Sequence, residues 1–291
     1  MKPPRFQYHD PRNLGEALRL LASLENAKVL AGGQSLMPML NMRFVFPEHI
    51  VDLNQLDELS FVREQDGRIQ IGAMTRQCEL ERSELIRDRC PLMSEALWQI
   101  GHRPTRNRGT IGGSLCHLDP AAELPVVAAA LEATVHARSS RGERAISMDD
   151  FPAYYMTPSI EPDEIVTSID FEPWPAGHGY AFVEFARRHG DFAIVSAAAL
   201  LEVSSEGTLR RTSVVVGGVG TGPVRCSEIE AELTGTRGGP EIHIKAAQAC
   251  RGIDAMEDVH ATQAYRRHLA EVLTIRALDA AYDRATMGSV A

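Results

Sequence analysis

Two stretches with paired glycines, Ala31–Arg43 (AGGQSLMPMLNMR) and Thr110–Pro120 (TIGGSLCHLDP), carry most of the information in this sequence. The first follows the aliphatic run Lys28–Leu30 directly. Backbone amides hold a diphosphate best where side chains are absent, because the amides can then approach the anion closely. We therefore predict that the two stretches close on one doubly charged ligand from two sides.

Hydroxyl groups accompany both glycine pairs. Ser35 and Ser114 are candidate donors to the same anion. Ser35 is also placed to cap a helix that begins at Leu36, with Pro38 tolerated in its first turn. An acidic protein can therefore bind an anion locally.

Composition limits the class of protein. The 291 residues suffice for two or three compact domains, and 39 acidic against 30 basic side chains give a net charge of -9, which disfavours a nucleic-acid-binding protein. The five cysteines are widely spaced without a C-x-x-C pair, so we expect reduced core thiols rather than a zinc or iron-sulfur site. The sequence shows no secretory leader and no long apolar run. We therefore expect a cytoplasmic protein without a membrane span.

Helices and strands alternate up to about residue 175. A capping-box spacing at Asn13 and Glu16 predicts a first helix, and Asp66-Gly67 predicts a hairpin. The other elements predicted here are strands at 28–31, 49–53, 134–137, 144–147 and 164–171, and helices at 77–87, 91–100 and 123–133.

A segment rich in Pro and Gly, Glu172–Gly179, marks a boundary. Beyond it the pattern predicts three strands and then three helices. The strands are 180–187, 193–203 and 209–217, and the helices are 227–233, 241–251 and 262–284. The sequence thus predicts an α/β region followed by a small sheet with a helical layer.

Two familiar phosphate-binding motifs match poorly. The first glycine stretch lacks the third glycine of the G-x-G-x-x-G dinucleotide motif, although Asp52 stands about where its ribose-binding acid would be. Neither stretch continues to the Gly-Lys-Ser/Thr of a P-loop.

Three further groups have two interpretations each. His117 and Asp119 could be a metal pair, but two ligands without a third favour an ordinary loop histidine. The basic stretch Arg103–Arg108 could attract the diphosphate or form a solvated face. Arg187, Arg188, His189 and Asp191 could shape the outer face of a cofactor or pair with one another on the surface.

Long motifs give a family resemblance. Residues 28–43 and 106–125 resemble the two flavin signatures of the medium, FAD-binding subunit of molybdenum hydroxylases, and residues 185–195 (FARRHGDFAIV) resemble the start of that subunit's C-terminal domain. Carbon monoxide dehydrogenase and relatives of xanthine dehydrogenase belong to this family. The resemblance covers essentially the whole chain.

The resemblance implies an α+β fold with two domains. The expected first domain, 1–175, is a two-lobed α/β FAD-binding domain of the vanillyl-alcohol oxidase type, with lobes at about 1–55 and 56–175. The expected second domain, 178–291, has a three-stranded antiparallel sheet and a helix bundle.

Cofactor-binding residues follow from the resemblance position by position. The pyrophosphate and ribityl region of FAD is expected along Val29, Leu30, Ala31, Gly32, Gly33, Gln34, Ser35 and Leu36, and along Thr110, Ile111, Gly112, Gly113 and Ser114. Glu123 falls where relatives have an acidic residue that hydrogen-bonds the cofactor, and Ile100 and Val166 fall where apolar side chains contact it. Arg187 is a candidate for the flavin's outer face. Phe192 stands where some relatives carry a Tyr over the isoalloxazine ring, so a hydroxyl is missing here.

The function implied by the resemblance is electron transfer in an oxidoreductase. Electrons would come from a large molybdenum-cofactor subunit through 2Fe-2S clusters of a small subunit, reach FAD in this chain and leave to an external acceptor, in an assembly expected to be a dimer of heterotrimers. Flavin supplies its own chemistry, so no side-chain acid-base pair and no metal site are expected here. The alternatives are a stand-alone FAD-dependent oxidoreductase that acts on a small substrate and a non-enzymatic anion-binding module.

Overall fold

The structure, a computed structural model, describes residues 2–287. The outer ends of the two predicted domains, residue 1 and residues 288–291, lie outside the described residues. The strands are β1 Gln7–His9, β2 Ala27–Leu30, β3 His49–Asp52, β4 Val62–Gln65, β5 Arg68–Gly72, β6 Thr134–Ser139, β7 Gly142–Ser147, β8 Pro152–Tyr154, β9 Thr157–Pro158, β10 Ile165–Phe171, β11 Gly179–Phe185, β12 Val195–Val203, β13 Leu209–Gly217 and β14 Val224–Arg225.

Helices separate or follow these strands. They are α1 Leu14–Ser23, α2 Leu36–Asn41, α3 Gln77–Arg82, α4 Glu84–Arg89, α5 Pro91–Gln99, α6 Arg103–Arg106, α7 Ile111–His117, α8 Glu123–Ala130, α9 Ser227–Leu233, α10 Pro240–Ala247 and α11 Gln263–Met287. Two short 3-10 turns lie at Asp57–Leu59 and Gln248–Gly252. No helix within residues 2–287 combines the length and the apolar character needed to cross a bilayer.

The first sheet is parallel, in the order β1-β3-β2. Its first crossover helix, α1, begins as predicted: the Asn13 side chain accepts from the Glu16 amide at 2.9 Å. Parallel strands end at the same edge of a sheet. The residues after β2 and β3, which include the first glycine stretch and Asn54, therefore emerge side by side.

The second sheet is antiparallel, in the order β4-β5-β10-β6-β7. The predicted Asp66-Gly67 hairpin is confirmed, with φ of 52° and 76° at the two turn residues, as a two-residue hairpin turn requires. Helices α5, α7 and α8 share the large core of this sheet. This sheet lies behind the second glycine stretch and fixes its position.

The third sheet has the order β11-β12-β13-β14. Three long antiparallel strands were predicted, and the structure adds the two-residue β14 at the edge. Alternate residues of β12 contribute to two different cores: Ala198 and Leu200 to the core shared with α5 and α8, and Ala197 and Ala199 to the core under α11. The sheet is therefore covered on both faces, which ties it to the preceding part of the chain.

Some element boundaries differ from the sequence prediction. The helix predicted at 77–87 breaks at Ser83, which is extended (φ -69°, ψ 120°) and whose hydroxyl caps α4 by accepting from the Ile86 amide. The helix predicted at 241–251 ends at Ala247 and continues as a 3-10 turn. The short elements β1, β8, β9 and α6 were not predicted, because two to four residues carry too little periodicity.

Candidate functional site

The first glycine segment, residues 31–36, joins β2 to α2. Gly33 has a φ of +73°, a conformation that glycine adopts without the steric cost of a Cβ. Within residues 2–287, the four consecutive amides of Gly32–Ser35 donate to no protein acceptor. Consecutive backbone amides without protein acceptors can bind an anion.

Ser35 precedes α2 as expected but does not cap it. Its backbone is in the helical region (φ -104°, ψ -49°), and its side chain makes no capping hydrogen bond. The capping prediction is therefore wrong. A side-chain cap requires an extended backbone at that residue. The hydroxyl of Ser35 has no protein partner in the part of the chain that is described, which leaves it available to a ligand.

The second glycine segment, residues 108–114, runs into a helix instead of forming an open loop. Thr110 caps α7, and its Oγ1 accepts from the Gly113 amide at 3.0 Å. The Gly112 amide donates to the carbonyl of Ala73 at 2.9 Å. The expectation that both glycine pairs offer free amides is therefore met by the first segment alone. A Cβ on Gly112 would stand 2.6 Å from that of Ala73, so glycine here permits close packing.

The two segments meet. A Cβ placed on Gly32 would stand 2.2 Å from the carbonyl oxygen of Arg108, and one on Gly113 would stand 3.6 Å from the Cβ of Ala31. The two segments, residues 31–36 and 108–114, together form what we call the cradle. Its shape depends on the absence of side chains at the points where the two backbones touch.

Arg76 and Asn54 connect the two sides of the cradle. The guanidinium of Arg76 donates to the carbonyl of Arg108 and to the side-chain oxygen of Asn54. The Asn54 amide group donates to the carbonyl of Ala31 at 2.9 Å. Sequence patterns did not reveal either residue, because their partners lie 22 to 32 positions away along the chain.

Asp52 does not act as a free ribose-binding acid in this structure. It is buried, and its carboxylate accepts from the Tyr8 hydroxyl at 2.6 Å and from the Asn54 amide at 2.8 Å. The hydrogen bond to Asp52 raises the pKa of Tyr8 to about 12. The antiparallel second sheet also differs from the parallel sheet of a dinucleotide-binding dehydrogenase domain.

The basic stretch Arg103–Arg108 divides into two kinds of side chain. Arg106 is buried and pairs with Glu81 at 3.0 Å, so its role is structural. The same guanidinium donates to the carbonyl of Ile100 at 3.0 Å. Arg103 and Arg108 are exposed, and Arg108 is the first residue of the second glycine segment. Positive charge next to the free amides favours an anionic ligand.

The predicted apolar positions lie in the core behind the cradle. Ile100, Ile111 and Val166 are buried members of one hydrophobic cluster. Val29 and Leu30 are partly exposed on β2, directly before the first glycine segment. These positions can offer apolar surface to a bound ring or chain only along their exposed edges. Their contacts with the cofactor stay a prediction.

A loop of the third sheet reaches the same region. The tip of the β11–β12 connection, Gly190, lies so close to His102 that a Cβ would stand 2.5 Å from the imidazole ring. Phe192 on this loop is 66% exposed. Arg187 is exposed, and none of the charged residues of this loop pairs with another in the described part of the chain. Phe192 and Arg187 are therefore free to face a ligand or a partner.

Glu123 is the first residue of α8 and is 5% exposed. Burial raises the pKa of Glu123 to about 8, and the nearby carboxylates of Glu184 and Asp119 act in the same direction. Burial likewise raises the pKa of Glu184, on β11, to about 7. At neutral pH Glu123 is mostly protonated, and a protonated carboxyl can donate a hydrogen bond as well as accept one.

The remaining candidates fit ordinary structural roles. Burial lowers the pKa of His117, and Asp119 accepts from the Ala121 amide at 2.9 Å. No group of three or more His, Cys, Asp or Glu side chains able to hold a metal ion occurs in residues 2–287. All five cysteines are free thiols.

Comparison with known proteins identifies the class. A family model described as the FAD binding domain in molybdopterin dehydrogenase matches residues 4–174, and one described as the CO dehydrogenase flavoprotein C-terminal domain matches residues 180–281. The chain is thus an oxidoreductase flavoprotein with the two-lobed FAD-binding domain and the C-terminal sheet-and-helix domain that the motifs implied.

The relatives agree with this class. The chain is 42% identical to the 6-hydroxypseudooxynicotine dehydrogenase complex subunit alpha of Paenarthrobacter nicotinovorans, covering 98% of this chain and 97% of that protein. It is 38% identical to the caffeine dehydrogenase subunit beta of Pseudomonas sp. (strain CBB1), over 98% and 97% of the two chains. The carbon monoxide dehydrogenase structure from Hydrogenophaga pseudoflava superposes with a TM-score of 0.95 at 36% identity, over 98% of this chain and 99% of that one.

The chain belongs to the family of FAD-binding medium subunits of molybdenum hydroxylases. The structure is compatible with the cofactor that defines this family. The free amides of Gly32–Ser35 suit a diphosphate, and the Gly32 contact leaves no room for a side chain between the two segments.

Proposed function

We propose that this chain is the electron-transfer subunit of a multi-subunit molybdenum hydroxylase. It binds FAD, receives electrons from iron-sulfur clusters of a small partner subunit and passes them to an external acceptor. The substrate is oxidised at a molybdenum cofactor in a large partner subunit. The proposal rests on the cradle, in which the segment with four unpaired amides touches the second glycine segment, and on full-length similarity to subunits of dehydrogenase complexes.

The proposed cofactor site uses the cradle for the diphosphate and the neighbouring loops for the ring. Gly32, Gly33, Gln34 and Ser35 supply amides, and Ser114 adds a hydroxyl. Bound FAD supplies the electron-carrying chemistry. The chain binds and orients it and controls access to its edge.

Glu123 and the loop of the third sheet have separate tasks in this proposal. A mostly protonated Glu123 can donate to an acceptor atom of the cofactor at neutral pH. Phe192 and Arg187 lie on the loop that packs against His102, and we assign them to the ring and its outer face. Val29, Leu30, Ala31, Leu36, Ile100, Thr110, Ile111, Gly112, Gly113 and Val166 complete the proposed set.

We further propose the domain division and assembly that follow from this function. The first domain spans 1–175 and the second 178–291, with the boundary in the Pro- and Gly-rich connection before β11. The partners are a large molybdenum-binding subunit and a small iron-sulfur subunit, arranged as a dimer of heterotrimers.

The test is purification of the tagged chain from its native host under mild conditions. We expect flavin absorbance, FAD near one per chain, and two co-purifying subunits that carry molybdenum and iron. A flavin-containing chain that purifies without partners and oxidises a small substrate by itself would instead establish a stand-alone oxidoreductase. A colourless chain would contradict the FAD assignment.

A further inference from the structure

Three side chains at the carboxyl edge of the first sheet form a connected hydrogen-bond chain, which we call the clamp: Asp52, Asn54 and Arg76. Asp52 Oδ1 accepts from the Asn54 backbone amide at 2.8 Å and also from the Asn54 side-chain amide. Asn54 in turn accepts from the Arg76 guanidinium through its side-chain oxygen. The Tyr8 hydroxyl donates to the second Asp52 oxygen at 2.6 Å and so anchors the clamp to β1.

The clamp is hydrogen-bonded to the cradle where the two glycine segments touch. Asn54 holds the carbonyl of Ala31, and Arg76 holds the carbonyl of Arg108. Gly32, next to Ala31, is the residue whose missing Cβ lets the backbone approach that same Arg108 carbonyl. One amide and one guanidinium therefore fix both backbones within one residue of their contact.

The backbone at Arg76 is hydrogen-bonded to the second glycine segment. Arg76 and Thr110 form an antiparallel bridge, and the adjoining Gln77 amide donates to the carbonyl of Gly109 at 2.8 Å. Arg76 is therefore already part of the second side of the cradle. The hydrogen bond from its guanidinium to Asn54 links the second glycine segment to the first.

Arg76 keeps its positive charge without a carboxylate partner. Both acceptors of its guanidinium are neutral oxygens, and it forms no salt bridge among residues 2–287. Burial and the nearby Arg108 lower the pKa of Arg76, because both disfavour its charged form. The carboxylates of Glu79 and Asp52 offset part of this effect without forming an ion pair with Arg76. A guanidinium without an ion-pair partner beside free amides favours an anion in the cradle.

We propose that Asn54 and Arg76 are positioning residues for the dinucleotide, holding the two glycine segments at the separation that the diphosphate requires. This inference rests on the proposed function, because the ligand is the FAD diphosphate. The link between the two segments needs both residues. Without Asn54, the Arg76 guanidinium has no connection to the first segment. Without Arg76, Asn54 bonds to the first segment but not to the second.

The experiment measures FAD affinity in the assembled protein as purified, with the variants Asn54→Ala, Arg76→Ala and the double variant. FAD is removed and titrated back, and flavin fluorescence gives the dissociation constant. We expect each single variant to weaken FAD binding about tenfold, equivalent to about 1.4 kcal/mol. The double variant should lose little more than the weaker-binding single variant, because the two residues belong to one chain of bonds. Arg76→Lys should recover only part of the loss, since an ammonium cannot reproduce the guanidinium fork.

The controls separate positioning from folding. Arg63→Ala removes another arginine of the same region, one that is exposed and bonds to Gln70, and FAD affinity should stay unchanged. Melting temperatures of the FAD-free single variants should stay within about 2 °C of the wild type, because the clamp bonds are partly solvent-accessible.

Three outcomes would contradict the proposed positioning role of Asn54 and Arg76. They are unchanged FAD affinity in both single variants, independent losses that multiply in the double variant, and a melting-temperature loss that accounts for the whole effect. A wild-type protein that binds no FAD at all would instead contradict the proposed function, so the two failures are distinguishable.

Discussion

Gly32 lies against the main chain of Arg108, and a Cβ at Gly32 would stand 2.2 Å from the Arg108 carbonyl oxygen and 2.9 Å from the Cα of Gly109. Both neighbours are backbone atoms, which cannot rotate away as a side chain can. This contact brings the end of β2 against the segment before α7, so the two glycine segments of the cradle touch here.

Gly32→Ala should therefore weaken FAD binding about tenfold or more, because the added methyl group must push the two segments apart. FAD per chain in the purified protein and the FAD dissociation constant are the measurements. Gly252→Ala is the matched control, since a Cβ there would meet no atom within 4 Å. Equal FAD retention in the two variants would show that the Gly32 contact does not shape the site.

Gly33→Val and Gly113→Val should each abolish cofactor retention. At Gly33 the φ of +73° is costly for a β-branched residue, about 1–2 kcal/mol, and the side chain would also crowd the free amides. At Gly113 a Cβ would stand 2.8 Å from the Thr110 hydroxyl that caps α7. The measurement is flavin absorbance after gel filtration.

Strain alone must be distinguished from obstruction of the cradle. Gly235→Val provides the control, because Gly235 also has a positive φ, +84°, but has open space around it. It should lower stability and leave the flavin content intact. Full flavin occupancy in both the Gly33 and the Gly113 variants would contradict the placement of the site.

Glu123→Gln should flatten the pH dependence of stability in the FAD-free protein. The folded-state pKa of Glu123, about 8, lies above its unfolded value of 4.5, so the folded state binds more protons between these two pH values. The free energy of unfolding therefore falls as pH rises from about 4.5 to about 8. The neutral amide removes this contribution, on the order of 3 kcal/mol, from the difference between pH 5 and pH 8.

Urea unfolding at pH 5 and pH 8 measures that difference. Glu228→Gln, which changes an exposed carboxylate, serves as the control and should behave like the wild type. If Glu123→Gln and the wild type lose the same stability between the two pH values, Glu123 is not held protonated by burial.

Phe192→Ala should open one side of the flavin to solvent without destabilising the chain. The side chain is already 66% exposed, so its removal leaves no cavity in a core. We expect iodide to quench flavin fluorescence about twofold more efficiently, because less apolar surface covers the ring. Val259→Ala, which trims a 95% exposed apolar side chain elsewhere, is the control. Unchanged quenching would show that Phe192 does not cover the ring.

The sequence by itself determined the elements whose signals are local. Asn13 caps α1 because its acceptor and the Glu16 amide lie three residues apart, and Asp66-Gly67 turns a hairpin because both residues tolerate positive φ. The long glycine motifs also led directly to the family, since a motif of sixteen to twenty residues rarely recurs by chance.

Tertiary structure alone decided how the two glycine segments differ. Both look like loops in the sequence, yet the second segment folds into the first turn of α7. There the Gly113 amide donates to the Thr110 hydroxyl and the Gly112 amide donates to the Ala73 carbonyl. The first segment keeps its amides free. Which donors remain available depends on acceptors contributed from elsewhere in the chain, and no local pattern encodes them. The bonds of Asn54 and Arg76 to the two sides of the cradle exist for the same reason, because only the parallel β2 and β3 and the packing of the second sheet bring these residues together.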